Sequence, residues 1–315
     1  MRLLVSRHLE NFIALYEAQN MHAAADRKGI SQPALAKSLR IVEEEVGTRL
    51  FFRTSKGLEP TRAGDTLYRY ARAIDQEARF AAFDVHNSMQ EIEGRLQLGI
   101  GPALAVSSFP SVLLAFHEAF PSAEVTVETG ITSHLVENLV QGNLDVVVTA
   151  RPSRALPEQF VGLHLFSNDM VAVCRSDHPV RKRGIVGIED LSPFGRVGFI
   201  EDHEFDKHAR KALGPGGDKM PAAVQTTSMT VILDILAATD YFAILSEVLL
   251  PKARMQGLLP IALRDQLWRI DIDLMCKQAI VDSRPVKTIR NAWLDYVAAA
   301  AVPAGARTAG LNAAP

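Results

Sequence analysis

Apolar side chains recur at helical spacing from the start of the chain. Leu9, Phe12, Ile13 and Tyr16 share one face and predict a first amphipathic helix. A short second helix runs through Ala23, Ala24 and Ala25, whose small side chains let a neighbour approach closely, and Gly29 permits the turn that ends it. Ser31 is a favourable N-cap, with Pro33 in the first turn where a missing N–H is harmless. The third helix places Leu35, Leu39, Val42 and Val46 on one side, and Gln32, Ala36, Lys37 and Arg40 on the other. A helix, a tight glycine-containing turn and a helix with one buried and one donor-bearing side make a helix-turn-helix. Two short apolar runs, 50–53 and 58–61, flank the polar turn 54–57 and read as a small hairpin.

From Arg62 to Ile92 there is no proline, and Leu67, Ala71, Ile74, Ala78, Ala81, Val85, Ser88 and Ile92 repeat in alternating steps of four and three. This seam predicts a long helix of roughly 45 Å. A lone exposed helix of that length is poorly stabilised, so it is expected to pair with a second copy of the chain. Beyond it the pattern changes to α/β. Strand-like runs at 96–100, 125–128 and 145–149 alternate with helical stretches near 112–120 and 135–141, the βαβ arrangement of a parallel sheet. A second series follows at 170–175, 197–200, 223–226 and 242–246; a strand at 267–275 and a helix near 286–301 close the fold. The tail after Pro303, rich in Ala and Gly, reads as disordered.

Composition adds limits. The chain has 315 residues, 48% of them hydrophobic and 22% charged, which fits two folded domains and excludes wholesale disorder. No apolar run approaches the ~18 residues of a membrane span, and the apolar run at the start is too short for a signal peptide. Cys174 and Cys276 provide neither a disulfide framework nor a four-cysteine zinc site. These features predict a soluble cytoplasmic protein without a metal or other cofactor. The near-neutral total, −2, hides an imbalance: residues 27–62 carry eight basic and four acidic side chains, whereas 65–93 carry three and six. A basic module at one end of a neutral chain fits a phosphate-binding surface.

That surface suggests its own chemistry. The N-terminal part of the second helix of such a pair points into the major groove. Gln32 offers paired donor and acceptor groups to adenine, Lys37 and Arg40 reach guanine edges or phosphates, and the free N–H groups near Ser31 favour a phosphate. Arg53 and Lys56 of the hairpin are placed for the backbone or minor groove. Enzyme motifs fail on spacing. His203-Glu204 and His208 imitate a zinc-protease helix, but the histidines stand five apart rather than four. There is no third glycine after Gly99-Ile100-Gly101, no Gly-x-Ser-x-Gly and no Walker lysine, so no enzyme is expected. Cys174 lies in an apolar run and reads as packed, and His117, His134 and His164 have no evident partners.

Ala24-Ala25, Ser31-Gln32-Pro33-Ala34-Leu35, Glu43-Glu44, Gly47, Leu50-Phe51, Arg53, Thr61 and Ala63-Gly64 together resemble the N-terminal signature of LysR-type transcriptional regulators. Departures lie at Asn20, Met21 and His22, at Lys28 and at Pro60. The resemblance implies a winged helix-turn-helix (1–64), a dimerisation helix (65–93) and an effector domain (94–302). That domain resembles the two-subdomain periplasmic-binding-protein fold, with subdomains at 94–167 plus 267–302 and at 168–266 and hinges near 166–169 and 263–267. The implied partners are promoter or operator DNA, a small-molecule effector, a second or further copies of the chain as a homodimer or homotetramer, and RNA polymerase. By motif, Gln32, Pro33 and Lys37 are groove-facing and Arg53 is the wing contact.

Ligands of open α/β sheets bind beyond the carboxyl ends of strands. That rule nominates Gly101, Pro102 and Ala103 after the first strand, with Ser107 and Ser108 as caps of the following helix. It adds Thr132 and Ser133 after the second strand and Thr149 and Arg151 after the third. From the other subdomain come Phe199, Ile200, Glu201, Thr227 and Ser228. Arg151 as a fixed cation points to a carboxylate. The competing reading is a solute-binding receptor carrying a basic head.

Overall fold

The computed structural model describes residues 7–54, 57–85, 95–200, 222–264 and 266–301. The chain divides into two compact units, with the main boundary after residue 90. In the first unit, α1 (Arg7–Ala18), α2 (Met21–Lys28) and α3 (Gln32–Val46) precede the hairpin β1 (Phe51–Thr54) and β2 (Gly57–Pro60), and α4 (Arg62–Val85) follows. Each boundary has a local cause. Asn20 caps α2 by accepting from the N–H groups of His22 and Ala23, and Gly29 closes it in the left-handed region at φ 64°. Ser31 caps α3 through the Ala34 N–H, and Gly47 ends it at φ 76°. Thr61 Oγ1 accepts from Gly64 N at 3.0 Å, so α4 begins at Arg62, where the proline-free run begins.

Phe12, Leu15, Ala24, Ala25, Leu35, Val42, Leu50 and Phe51 form the core of this unit. Ser38, which the apolar spacing passed over, is buried because its hydroxyl accepts from Asn11 Nδ2 at 2.9 Å, a polar tie between α3 and α1. Ala23 and Val46 lie outside: α2 buries only Ala24 and Ala25, and the last turn of α3 is largely solvated. The predicted seam divides. Leu67, Ala71 and Ile74 pack into the unit's own core, whereas Ala78 and Ala81 are exposed; Val85's side chain, Ser88 and Ile92 lie outside the described residues. The first turns of α4 are needed to cover α1, where the Tyr16 and Tyr68 rings stack at 3.9 Å. Tyr16 donates to Asp65 at 2.8 Å and Tyr68 to Glu17 at 3.2 Å. Burial, reinforced by these carboxylates, pushes both phenols up to about 12.

The second unit contains β3 (Arg95–Ile100), α5 (Pro102–Val106), α6 (Phe109–Ala119), β4 (Glu124–Thr129), α7 (Thr132–Gln141), β5 (Val146–Ala150) and β6 (Phe160–Arg175). Then come β7 (Arg196–Phe199), β8 (Ala222–Thr226), α8 (Met229–Ala238), β9 (Ala243–Ser246), α9 (Leu250–Met255), β10 (Leu258–Pro260), β11 (Arg269–Lys277) and α10 (Arg284–Ala301). The strand order is β10-β6-β11-β5-β3-β4, with β9 also on β6 and a separate β7–β8 pair.

The sheet is mixed rather than parallel. Among the described strands, β3–β4, β3–β5 and β7–β8 pair in parallel; β11 is antiparallel to β5 and β6, as β9 and β10 are to β6. The cause is β6, a sixteen-residue strand of which only residues 170–175 are expected as strand from the sequence. Its residues 160–169 pair with β11, and its residues 170–175 pair with β9 and β10. The first expected hinge, 166–169, is therefore continuous strand. The second crossing lies beside it at Trp268–Ile270, where Trp268 O accepts from Met170 N at 3.0 Å and Arg269 opposes Asp169. It falls later than 263–267, because Leu263 still bridges Val186.

Candidate nucleic-acid interface and effector cleft

On α3, Ser31, Gln32, Pro33, Lys37 and Arg40 are exposed, while Leu35, Ser38 and Val42 are buried behind them. The burial pattern thus turns one polar side of the helix outward. An open groove beside its N-terminal end is lined by His22, Gln32, Pro33, Ala36, Arg53 and Thr54, so the hairpin's Arg53 joins the helix's Gln32 and Pro33 at one site. Lys56 lies outside the described residues.

Not every basic side chain of the 27–62 window is available. Arg27 pairs with Glu17 at 2.7 Å and Lys28 with Glu10 at 2.9 Å, both carboxylates outside that window. Lys37, Arg40 and Arg53 make no ion pair among the described residues, and their charge faces solvent. His22 is a residue the charge count passed over. Its Nδ1 lies 3.2 Å from Gln32 Nε2 and its Nε2 lies 3.4 Å from Asp26. Asp26 favours a proton on Nε2, which leaves Nδ1 to accept from the Gln32 amide and orients it. The signal for this was present in the sequence, as an unusual residue at the start of α2.

A cavity of about 400 Å³ lies in the second unit at the carboxyl ends of β3 and β5. It brings together seven of the residues nominated by the strand-end rule: Gly101, Pro102, Ala103, Thr132, Thr149, Arg151 and Phe199. Ser107, Ser133, Ile200, Thr227 and Ser228 do not line it. Ser107 donates to the Ala103 carbonyl at 2.7 Å. Ser108 precedes α6 with helical φ and ψ and makes no capping bond; the intervening α5 removes the extended cap geometry that was expected. Ser228 serves instead as the cap of α8, Ser133 and Thr227 are exposed, and Glu201 lies outside the described residues. The rule missed Met170, Ile244, Ser246, Trp268 and Asp271, which arrive on strands and crossings not tied to the first βα turns, and Met229, which opens α8 directly after Ser228.

Arg151 is not a free cation. Its Nε and Nη2 donate to Asp273 at 2.7 and 3.0 Å, and Nη1 donates to Asp271 at 2.7 Å. The Asp273 bonds raise the guanidinium pKa above its usual range. Asp271 is held below the usual carboxylate range by the Ser167 hydroxyl, with Arg151 adding to the effect. His164 Nδ1 lies 3.4 Å from Asp273, and His134 meets Glu128 at 2.8 Å, so both histidines have partners the sequence did not reveal. Residues 203–208 lie outside the described residues, and no group of metal-ligating side chains occurs among the described ones.

The chain matches two family descriptions in sequence: a bacterial regulatory helix-turn-helix protein of the lysR family over residues 6–65, and a LysR substrate binding domain over residues 89–298. The second match alone spans about two-thirds of the sequence. The chain belongs to the LysR family. It is a LysR-type DNA-binding transcriptional regulator with an effector-binding domain. A curated relative is the hydrogen peroxide-inducible genes activator of Dickeya chrysanthemi, 27% identical over 250 residues, 79% of this chain and 81% of that one. Full-length OxyR from Pseudomonas aeruginosa superposes with a TM-score of 0.68 at 17% identity, covering 91% of this chain and 93% of that one. CbnR in complex with its target DNA superposes with a TM-score of 0.60 at 21% identity, covering 94% and 99%. These likenesses extend the LysR architecture over nearly the whole chain.

Proposed function

We propose that Ser31, Gln32, Pro33, Lys37 and Arg40 of α3 enter the major groove of operator DNA while Arg53 of the hairpin holds the flanking backbone. The cavity lined by Thr132, Thr149 and Phe199 binds the small molecule that controls the regulator. The observation that carries the DNA reading is the selective neutralisation of the basic window: Arg27 and Lys28 are satisfied internally, whereas Lys37 and Arg40 are exposed on α3 and Arg53 lines the groove beside the N-terminal end of that helix. The partner is DNA, as target DNA is for CbnR. A homodimer or homotetramer presents paired α3 helices to half-sites about one helical turn apart. The exposed Ala78 and Ala81 positions of α4 are available to such pairing. The protein works by binding and not by catalysis.

The test begins with selection of duplexes from a random library by the full chain, followed by gel shifts across salt concentration. Selection of a partly palindromic site, with log affinity falling linearly in log salt, supports the reading; binding without sequence preference or salt dependence overturns it.

We further infer that the peroxide response named for the Dickeya relative does not operate here through a thiol. Cys174 and Cys276 are the only cysteines, both are buried, and burial pushes their thiols up to about 11 and 12. A reactive thiolate needs the opposite setting. Cys276 opposes Val161, thirteen residues along β6 from Cys174, about 40 Å of strand at ~3.3 Å per residue and far beyond disulfide reach. Peroxide treatment of the native protein is expected to leave both thiols reduced by mass spectrometry, with operator affinity unchanged. Rapid oxidation of either, with altered affinity, would contradict this.

A further inference from the structure

The walls of the effector cavity constrain the charge of its occupant; this step rests on the proposal that the cavity is the effector site. Of the two arginines in the lining, Arg151 is fully engaged, and Arg269 is largely solvated and faces Asp169 through Nε alone. Arg151 uses all three guanidinium nitrogens on Asp271 and Asp273, and Arg269 Nε stands 3.1 Å from Asp169 Oδ1. Two guanidinium groups therefore meet three carboxylates, and one of these, Asp271, is itself part of the wall. An incoming carboxylate finds Arg151 already engaged through all three nitrogens and adds a like charge beside Asp271, the arrangement that disfavours ionised pairs.

The α5 helix does not compensate. It is five residues long and starts with Pro102, which has no N–H to donate.

What the cavity does offer is neutral. Thr132 Oγ1 and Thr149 Oγ1 lie 3.0 Å apart; whichever donates, the other hydroxyl keeps its own proton for a ligand. Ser246 lines the cavity, is buried, and its hydroxyl has no hydrogen-bond partner among the described residues. Such a group is costly to bury unsatisfied, and a ligand that bonds it recovers that cost. Most of the remaining wall is apolar, with Met170, Phe199, Met229, Ile244 and Trp268 contributing.

We propose that the effector is an uncharged small molecule with an apolar, aromatic-sized body and a hydroxyl or amide head. The head bonds Thr132, Thr149 and Ser246, and the body lies against Phe199 and Trp268. This replaces the carboxylate expected from Arg151 as a strand-end cation.

The experiment uses the full chain and matched probes on common bodies: 2-phenylethanol, phenylacetamide, phenylacetate and phenethylammonium, with the corresponding indolyl and cyclohexyl series. Unfolding temperature and binding heat are read for each. At least one alcohol or amide is expected to raise the unfolding temperature with concentration, while its acid and ammonium counterparts do not at the same concentration. Ser246→Ala should weaken that alcohol or amide about fivefold. Asp271→Asn, which releases Arg151 Nη1, should shift preference toward the acid by about tenfold. Preference of the parent chain for the acid or the ammonium, or no binding by any uncharged member, overturns the proposal. Ala103→Phe, which fills the cavity, separates the two levels. If neutral probes bind it as well as the parent, the cavity is not the effector site, and it is the earlier functional reading of the cavity that fails.

Discussion

Gly64→Ala destabilises the first unit and abolishes operator binding. A methyl group built at Gly64 stands 2.3 Å from the Leu50 carbonyl oxygen and 3.3 Å from its carbon. Both are backbone atoms, so no rotamer change relieves the overlap. Leu50 is itself fully buried, and its N–H donates to Glu43 Oε1 at 2.8 Å, fixing it to the end of α3. The helix must retreat, taking with it the Tyr16–Tyr68 stack and the cover over α1. Overpacking of side chains typically costs about 1–3 kcal/mol, and a backbone clash belongs at or above the upper end of that range. The small gain in helix propensity from alanine, about 1 kcal/mol, does not offset it. Gly29→Asn provides the contrast. Gly29 has φ 64° with no neighbour within 4 Å of a built Cβ, and asparagine tolerates that region. Thermal melts and hydrogen exchange over α1–α3 decide the matter: a Gly64→Ala protein as stable as the parent, and still binding DNA, refutes the packing argument.

Lys37→Ala and Gln32→Ala are expected to fail in different ways. Lys37 stands clear of any ion pair among the described residues, so on the proposed docking its removal takes away a phosphate or guanine contact without disturbing the fold. If the contact is to phosphate, affinity drops by a similar factor on all sequences and the slope of log affinity against log salt falls by about one. On the proposed docking, Gln32→Ala removes a two-pronged base contact. It should cost about 1–3 kcal/mol on the selected site and relax preference at one base pair, leaving the salt slope alone. His22→Ala tests the orientation of that amide: a partial version of the Gln32→Ala pattern is expected, because Gln32 remains but loses its bond to Nδ1. Gel shifts on the selected site and its single-base variants read all three. Parent-like binding by both Gln32→Ala and Lys37→Ala removes α3 as the reading helix.

The head was legible because its signals are local. Ser31, Gly29 and Gly47 act on the backbone within a few residues, and the 4-3-4 spacing from Leu35 states which side of α3 is covered. Val46 fits that spacing yet is exposed, since periodicity cannot say where the neighbouring core ends. The seam of α4 shows the same limit: Leu67, Ala71 and Ile74 suit a partner helix and their own head equally well, and α1 claims them. In the second unit, strand ends located Thr149 and Arg151 but not the company they keep. Asp271 and Asp273 lie more than a hundred residues away, so the neutralisation of Arg151 is a tertiary fact. The run 160–167 alternates too weakly to stand out, which concealed the antiparallel character of the sheet.

That long strand β6 has a consequence for how the second unit holds together. Partners on both flanks of the cavity draw their backbone pairing from one uninterrupted stretch of chain, and β11 must return to lie against it. Neither lobe owns a complete set of paired edges, so severing the chain within 160–175 leaves naked strand borders on each fragment, open to self-association.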